Sequence, residues 1–357
     1  MLPQEVMERI RRELADWQES GMSILEMPFD CEEFRYIAQR AHDELRVLLR
    51  LPENYHILFM QGGAYGHFAL LAMNLLGKNS RAGYVQSGHW STRAIDEAAR
   101  YGTIDIIAGS KQSGFDHIPP FAEWRLAAES AYCHITTNET ADGVQFQQLP
   151  DTGAVPLVAD VTSDFLTRRM EINRFGMLYA SAQKSCGVAG LTIVIIREEL
   201  LDQAMAITPA VFNYGMQARS GSRINTPPIF SLYVAGLMFS WMLAAGGVDV
   251  MERRSRRKAA TLYDVIDADE LYSTHVVPSD RSLVNVCFQL PDAELESGFL
   301  AGAEERGLLN LKGHGAVGGI RASLYNAMPQ AGAEALAAYM QEFSAGSVTR
   351  LPARRAG

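Results

Sequence analysis

One lysine of this sequence stands between two apolar runs, where an isolated charge is costly to bury. Lys184 follows GMLYASAQ (176–183) and precedes GVAGLTIVII. An exposed loop lysine fits this position equally well when Lys184 is considered alone. A lysine amine fixed between strands can, however, bond covalently to a carbonyl compound. Lys184 is therefore a candidate catalytic nucleophile.

A carboxylate ends another apolar run. Asp160 closes the segment PLVAD (156–160), and ligands of open α/β sheets bind where the strands end. A carboxylate in such a place can pair with a protonated pyridine nitrogen, which makes the ring an electron sink. An aspartate that only caps the following turn would look the same in the sequence.

Two further features could hold a cofactor. QGGAYGHFAL (61–70) is a glycine-rich turn between a predicted strand and a predicted helix, and backbone N–H groups at a helix N-terminus bind anions. Its glycine spacing matches neither the dinucleotide-binding pattern nor the P-loop, so a plain tight turn is an equal alternative. Trp90 follows another strand end, where its indole could stack on an aromatic cofactor, although most tryptophans belong to a core.

Alternating strands and helices must position these residues. The predicted strands are 55–61, 82–88, 132–138, 156–163, 176–183 and 191–198, and helices are predicted at 66–77 and 91–102. Several of the strands are continuous, β-branched apolar runs, which are typical of strands buried on both faces. The alternation predicts an α/β fold with a mainly parallel sheet and helices on both sides.

The pattern changes after about residue 245. The predicted elements are then a helix at 249–266, a strand at 282–290, a helix at 292–306, a glycine-rich segment at 312–326 and a last helix at 330–344. This order predicts a smaller α+β domain. We expect a large domain at 15–245 and a small C-terminal domain at 246–350, with the N-terminal helix (1–14) packed on the small domain.

Composition narrows the possible functions. The 357-residue chain is 48% hydrophobic and 20% charged, as in globular proteins with a large core, and its net charge of −9 argues against a nucleic-acid partner. The basic run at 253–258 is predicted to be a solvated helix face. The four cysteines are scattered without metal-ligand spacing, so we expect neither a bound metal nor a disulfide framework. No apolar run is long enough to span a membrane, and we expect a reducing cytoplasm.

The order of these features resembles one known family. The sequence is similar to the phosphoserine aminotransferases, which belong to the class V, fold-type I enzymes that depend on pyridoxal 5'-phosphate (PLP). The motifs that carry the resemblance are SGHWSTRAIDEA (87–98), NETADG (138–143), the VAD run ending at Asp160, SAQK with GVAGLTIVI and REELL (181–201), INTPPIF (224–230) and GHGAVGGIRASLYNAMP (313–329). The resemblance covers nearly the whole chain. It implies a fold-type I PLP-dependent transferase with a seven-stranded sheet in its large domain.

The resemblance also implies roles for individual residues. Lys184 would hold PLP covalently and later move a proton. Asp160 would pair with the pyridine nitrogen, and Trp90 would stack on the ring. Thr140 would hydrogen-bond the phenolic oxygen of the cofactor. Arg321 would bind the α-carboxylate of the substrate with two parallel hydrogen bonds.

The cofactor phosphate would be bound by residues from two subunits. The backbone N–H groups of Ala64 and Tyr65 would hold it together with the side chain of Gln183. Asn225 and Thr226 would reach the phosphate of the neighbouring subunit. The resemblance therefore implies a homodimer with shared active sites.

The sequence departs from the family where the distal group of the substrate is bound. Phe29 and Asp30 stand in place of a His-Arg pair early in the chain, and Tyr65 stands where the glycine-rich turn usually carries arginine. His314 is kept, but Gly315 replaces the arginine that usually follows it. Four basic positions are lost and one becomes acidic. These residues therefore predict a substrate pocket for a group without phosphate.

The main hypothesis is a PLP-dependent aminotransferase that moves an amino group between an α-amino acid and an α-keto acid, on a non-phosphorylated substrate. One alternative is a phosphoserine:2-oxoglutarate aminotransferase of serine biosynthesis, with the phosphate bound by other groups. A desulfurase would need a cysteine in a mobile loop, and none of the four has an obvious place there. A non-catalytic binding protein of this fold would have no need of Lys184 and Asp160.

Overall fold

A seven-stranded sheet forms the centre of the computed structural model, which describes residues 1–348. The strands are β1 (Tyr55–Met60), β2 (Arg81–Gln86), β3 (Thr103–Gly109), β4 (Cys133–Thr136), β5 (Asn138–Glu139), β6 (Val144–Gln145), β7 (Leu157–Asp160), β8 (Phe175–Ser181), β9 (Thr192–Arg197), β10 (Asn285–Phe288) and β11 (Ile320–Ser323). The order across the large sheet is β1-β9-β8-β7-β4-β2-β3, while β5–β6 and β10–β11 form two small sheets.

The large sheet is mainly parallel, as the sequence predicts. The neighbouring strands β8, β7, β4, β2 and β3 run parallel to one another, and β9 is antiparallel to both β8 and β1. Strand β8 is buried along its whole length. Such strands are continuous apolar runs because helices cover both faces of the sheet.

Strand β3 lies at the edge of the sheet beside β2 alone, and the sequence pattern does not predict it. Only Ile107 of this strand is buried, and Ile106 is 52% exposed. A half-exposed edge strand has no continuous apolar run, which is the feature that indicates the other strands.

Helices cover both faces. They are α1 (Gln4–Glu13), α2 (Glu32–Leu49), α3 (Gly63–Leu75), α4 (His89–Ala98), α5 (Tyr214–Arg219), α6 (Ile229–Ala244), α7 (Val248–Ala268), α8 (Ala293–Glu305) and α9 (Gln330–Val348). One core cluster joins α1, α2 and α6 to one face of the sheet. A second cluster joins α3, α4 and α5 to the other face.

Helix α1 packs on α6, and its expected packing on the small domain stays a prediction. Val6 and Ile10 belong to the core cluster of the large sheet. The hydroxyl of Tyr233, on α6, donates a hydrogen bond to Glu13 at 2.6 Å. The periodicity of α1 identifies its apolar face but not the surface that this face meets.

The C-terminal part of the chain has a core of its own, built from α7, α8, α9, β10 and β11. The first turn of α7 nevertheless lies in the core of the large sheet, through Val248 and Met251. The domain boundary expected at 245–246 falls just before this helix and stays a prediction. Residues 349–350 of the expected small domain lie outside the described residues.

The basic run on α7 is only partly a solvated face. Its four arginines are exposed, but Lys258 is 1% exposed. Burial and the nearby Arg254 lower the pKa of Lys258 to about 8. Its ammonium group donates hydrogen bonds of 2.7, 2.8 and 3.1 Å to the main-chain oxygens of Leu324, Tyr325 and Met328. The lysine therefore fixes the loop after β11 to α7, because a buried charge needs such partners.

Within residues 1–348, no single helix is long and apolar enough to cross a membrane. Helices α6 and α7 reach such a length and composition only together, and they are bent by 86° relative to each other. The same residues contain no group of three or more His, Cys, Asp or Glu side chains that could hold a metal ion.

Candidate active site

The carboxyl ends of the parallel strands meet at one edge of the sheet, and the predicted cofactor residues gather there. Asp160 ends β7, where it is paired in register with Thr136 on β4 and with Tyr179 on β8. Lys184 lies in the turn between β8 and β9. This edge is the ligand-binding side of open α/β sheets.

Lys184 is half-buried and faces two residues that are distant in the chain. Its Nζ atom donates a hydrogen bond of 3.4 Å to Thr140 Oγ1. The same atom lies 5.4 Å from the centroid of the Trp90 ring, within the range of a cation–π contact. The fold therefore brings together three of the residues to which the sequence assigns cofactor roles.

The carboxylate of Asp160 is buried, and it is held by one main-chain donor. Thr162 N–H donates to Asp160 Oδ1 at 2.8 Å. Burial raises the pKa of Asp160, while the hydrogen bonds from Thr162 and the charge of Lys184 act in the opposite direction. A buried carboxylate of this kind gains from a cationic partner, such as a protonated ring nitrogen.

Trp90 is fixed at the start of α4 by hydrogen bonds from its side chain and its backbone. Its indole N–H donates to Thr140 Oγ1 at 2.7 Å. The backbone N–H groups of Trp90 and Ser91 donate to the two carboxylate oxygens of Glu139, each at 2.8 Å. Burial raises the pKa of Glu139, and these donors lower it. Gly88 is required here, because an added Cβ would lie 2.5 Å from the carboxylate carbon of Glu139.

The glycine-rich turn lies against the segment that precedes Lys184. Gly62 and Gly63 adopt positive φ angles of 105° and 64°, which only glycine adopts without strain. A Cβ on Gly63 would be 3.6 Å from Ser181 Oγ, and this hydroxyl hydrogen-bonds Gln183 Oε1. Ala64 and Tyr65 follow in the first turn of α3, and their joint contact with a phosphate beside Gln183 stays a prediction. The first N–H groups of a helix have no partner within the helix and can bind a phosphate.

Buried His67, which sequence reasoning missed, holds this turn. Its Nε2 lies 3.1 Å from the main-chain oxygen of Gln61 and its Nδ1 lies 3.0 Å from the hydroxyl of Tyr214. A carbonyl only accepts, so Nε2 carries the proton and Nδ1 accepts from Tyr214. Burial lowers the pKa of His67 to about 4, which keeps the ring neutral. A histidine in an apolar helix carries no local signal of such a role.

Asn225 and Thr226 also lie beside the glycine-rich turn. Asn225 Nδ2 donates to Gln61 Oε1 at 3.1 Å, and Gln61 Nε2 donates to the main-chain oxygen of Thr226 at 3.2 Å. These bonds fix the loop to the end of β1 in the same chain. Thr226 is exposed. A contact of the two residues with a partner's cofactor stays a prediction.

Two predicted substrate residues come from the C-terminal part of the chain. Arg321, on β11, donates from Nη1 to the main-chain oxygen of Thr140 at 3.2 Å. The ring of His314 lies 5.7 Å from the ring of Trp90, between centroids. Arg321 and His314 therefore meet the cofactor residues at the same place, and the carbonyl of Thr140 aligns the arginine.

The residues that replace the distal cations are more scattered. Phe29 is half-buried against the core of the large sheet, and Asp30 is exposed. Tyr65 is 50% exposed, and Gly315 has open space where a side chain would be. Within residues 1–348, no hydrogen bond or ion pair joins Phe29 or Asp30 to Lys184. Their part in a substrate pocket stays a prediction.

Three of the four cysteines are buried thiols. Burial raises the pKa of Cys133, Cys186 and Cys287 to about 12 each. Their thiols are protonated at neutral pH, and only the thiolate attacks an electrophile. Cys31 is half-buried at the N-terminus of α2, where its sulfur accepts a hydrogen bond from Phe34 N–H.

Comparison with known proteins agrees with the geometry. The profile of the Aminotransferase class-V family matches residues 1–336. The chain belongs to the class-V aminotransferases. It is 48% identical over 342 residues to the phosphoserine aminotransferase of Pseudomonas syringae pv. syringae, covering 96% of this chain and 95% of that protein. It is 46% identical over 351 residues to the phosphoserine aminotransferase of Nitrosomonas europaea, again covering 96% of this chain and 95% of that protein.

Solved structures of class-V aminotransferases superpose closely on this chain. Phosphoserine aminotransferase from Bacillus circulans subsp. alkalophilus is 39% identical, with a TM-score of 0.95 over 97% of this chain and 96% of that one. The PLP-bound phosphoserine aminotransferase from Trichomonas vaginalis is 34% identical, with a TM-score of 0.92 over 96% of this chain and 97% of that one. The predicted fold-type I architecture is confirmed, and so are the resemblance and the aminotransferase activity with PLP as cofactor.

The residues of this class-V aminotransferase fit PLP. The site offers an amine, a buried carboxylate, an indole and a helix N-terminus at one edge of the sheet. Two buried hydroxyl oxygens there, Ser87 Oγ and Thr136 Oγ1, have no hydrogen-bond partner in the described part of the chain. Buried polar atoms without a partner are rare. Thr136 is the neighbour of Asp160 across the sheet, so its hydroxyl is placed to serve a ligand bound there.

Proposed function

We propose that this aminotransferase acts on an α-amino acid and an α-keto acid whose side chains carry no phosphate, with Lys184 as its catalytic residue. The observation that carries the proposal is that Lys184, Thr140 and Trp90 are in mutual contact. Thr140 Oγ1 accepts hydrogen bonds from Lys184 at 3.4 Å and from Trp90 at 2.7 Å, and Lys184 Nζ lies 5.4 Å from the centroid of the Trp90 ring. The carboxylate of Asp160 is close enough for the charge of Lys184 to act on its pKa. Together these residues would hold the cofactor ring.

The chain's own groups move and hold the reacting proton. PLP, when bound, supplies the electron sink for the charge that develops at the substrate Cα. The amine of Lys184 would hold the cofactor and would carry the proton that leaves the substrate Cα. Asp160 would keep the pyridine nitrogen protonated. Trp90 would cover the ring and exclude water, and Thr140 would donate to the phenolic oxygen.

Arg321 orients the substrate. Its guanidinium binds the α-carboxylate with two hydrogen bonds, while Nη1 also donates to the Thr140 carbonyl at 3.2 Å. Because that carbonyl belongs to the residue that touches Trp90 and Lys184, the carboxylate and the amine are placed relative to one another. Positioning of this kind lowers the barrier by fixing the Cα–H bond near the proton acceptor.

The distal half of the site supports a substrate without phosphate. Phe29, Asp30, Tyr65 and Gly315 stand where the family usually has cations. A carboxylate 4 Å from a phosphate would be unfavourable by about 1–4 kcal/mol for dielectrics between water and a protein surface. Phosphoserine and glutamate should both be poor substrates, because the family binds both distal groups in this pocket.

We further propose a homodimer in the cytoplasm, with Asn225 and Thr226 reaching the partner's cofactor phosphate. The exposure of Thr226 and the fixed loop beside the glycine-rich turn support a contact across the interface. Sedimentation at the assay concentration checks it, since a fully active monomer would contradict shared sites.

A second candidate function is transamination of phosphoserine itself. The identity of 46–48% to proteins named phosphoserine aminotransferase favours it. Steady-state specificity constants for phosphoserine and for several neutral amino acids separate the two proposals. A value for phosphoserine as high as for every neutral donor would refute the first and support the second.

Borohydride reduction followed by peptide mapping tests the role of Lys184. The reduced cofactor should be attached to Lys184, and Lys184→Ala should lose transamination while still binding PLP noncovalently. Lys258→Arg is the control, because it changes a buried lysine outside the site. Attachment of the label to any other lysine would contradict the proposal.

A further inference from the structure

Two histidines face each other beside Trp90, and only one of them belongs to the substrate residues named above. His89 is the first residue of α4, and His314 lies in the loop before β11. Their ring centroids are 4.6 Å apart. Each ring also contacts Trp90, at 5.0 Å from His89 and 5.7 Å from His314. The pair therefore lies beside Trp90, whose indole is hydrogen-bonded to Thr140, the residue that Arg321 also contacts.

The hydrogen-bonding groups of the pair are defined by its neighbours. Ala316 N–H donates to Nδ1 of His314 at 3.2 Å. In a neutral imidazole the other nitrogen then carries the proton, so Nε2 of His314 is a donor. Within residues 1–348, the ring nitrogens of His89 make no hydrogen bond, although its backbone N–H donates to Asp142 at 2.9 Å. The two rings together therefore offer at least one donor and one acceptor to a ligand.

The surroundings of the pair favour the neutral form of both rings. Burial lowers the pKa of His314, and the charges of Arg321 and Lys184 lower it further. Burial also lowers the pKa of His89, as do His314 and Arg93. Arg93 lies one helical turn after His89 and is exposed. The carboxylate of Asp142 faces the backbone of His89 and already accepts its N–H.

We propose that His89 and His314 together select the side chain of the amino donor, and that the group they bind is a neutral carboxamide. This inference rests on the proposed function. A carboxamide has an oxygen acceptor and an N–H donor side by side, so that it can span two rings that stand 4.6 Å apart. A hydroxyl has a single atom for both roles. A carboxylate only accepts, and two neutral rings do not compensate its charge.

Three donors of similar length test the selection. L-Glutamine, L-glutamate and L-methionine are reacted with the holoenzyme in single turnover, and the change in cofactor absorbance gives the specificity constant of each. Glutamine should exceed both others by about tenfold, the value of one well-made hydrogen bond or more. A higher constant for glutamate or for methionine would overturn the proposal.

Substitution of His89 distinguishes binding from support of the fold. His89→Phe keeps a ring against Trp90 but removes both nitrogens, so the constant for glutamine should fall to about the level for methionine. The constant for methionine should stay within about twofold of its original value. An equal loss for all three donors would show a purely structural role, and no loss would show no role; either result refutes the proposal. His42→Phe, on α2, is the control for removal of a half-exposed histidine elsewhere.

Binding without turnover separates this inference from the proposed function. α-Methyl-L-glutamine and α-methyl-L-glutamate lack the Cα–H bond and cannot complete transamination. Calorimetry with the holoenzyme should show tighter binding of the amide, by about tenfold, and His89→Phe should abolish the difference. If no donor reacts but this preference is present, the proposed function fails alone. If donors react without the preference, this inference fails alone. If Arg93→Gln weakens the binding of α-methyl-L-glutamate but not of α-methyl-L-glutamine, Arg93 binds the distal carboxylate and the carboxamide assignment is wrong.

Discussion

Thr140 connects the parts of the active site, so removal of its hydroxyl has a calculable effect. Oγ1 accepts hydrogen bonds from the indole of Trp90 at 2.7 Å and from Lys184 at 3.4 Å. Thr140→Val keeps the shape of the side chain and removes the hydroxyl, which is this acceptor and also the proposed donor to the phenolic oxygen of the cofactor. The Trp90 N–H is then left half-buried without a partner. An unpaired buried donor costs about 1–3 kcal/mol, which corresponds to a factor of roughly 5 to 150 in a rate or binding constant.

A loss in the lower half of this free-energy range is expected for Thr140→Val, because Trp90 is half-buried and water can reach part of it. The assay is the specificity constant for the best amino donor, together with the dissociation constant of PLP. Thr140→Ser keeps an oxygen at the same place and should retain most of the activity. Thermal unfolding of both variants shows whether the whole fold has weakened.

A double-mutant cycle isolates the contact itself. Trp90→Phe removes the donor, so Thr140→Val should cost less in that background than in the natural chain. A coupling energy of about 1 kcal/mol is expected for two groups in direct contact. Equal activity of Thr140→Val and Thr140→Ser, or strict additivity in the cycle, would refute the reasoning.

Three further predictions concern the stability of the site, its response to pH and the distal pocket. Gly88→Ala should destabilise the protein by about 1–3 kcal/mol and weaken PLP binding, because the new Cβ would lie 2.5 Å from the carboxylate carbon of Glu139; an unchanged melting temperature would contradict this. His67 is neutral in the folded chain, with a pKa lowered from 6.5 to about 4, and binds a proton in the unfolded chain. Stability should therefore fall by up to about 3 kcal/mol as the pH decreases through that window, and urea unfolding of His67→Gln should show a smaller loss. Asp30→Arg combined with Tyr65→Arg should raise the specificity constant for phosphoserine, and no gain in a folded variant would argue against the distal pocket.

The sequence alone determined the chemistry of the site and the class of the fold. Lys184 and Asp160 could be found because apolar runs mark the buried strands, and a charged side chain at the end of such a run stands out. The glycines at 62 and 63 could be found because tight turns require their backbone freedom. The motifs from 87 to 329 were specific enough to indicate the family, which the profile match confirms.

Other features depended on how distant segments pack, and local patterns carry no information about that. Strand β3 is half exposed at an edge, so its sequence has no continuous apolar run. Helix α1 has a clear apolar face, but only the packed structure shows that the face meets α6. Lys258 has the sequence context of a solvated helix, yet the loop after β11 folds over it.

The contacts that define the active site also depend on how distant segments of the chain pack. Trp90 and Lys184 both reach Thr140, and His89 meets His314, although long segments of chain separate each pair. Periodicity and propensity act over a few residues, whereas these contacts form only when the whole sheet and the C-terminal part are assembled. The sequence therefore supplied the reacting groups, and the tertiary structure decided their partners, because distances between remote residues are set by packing.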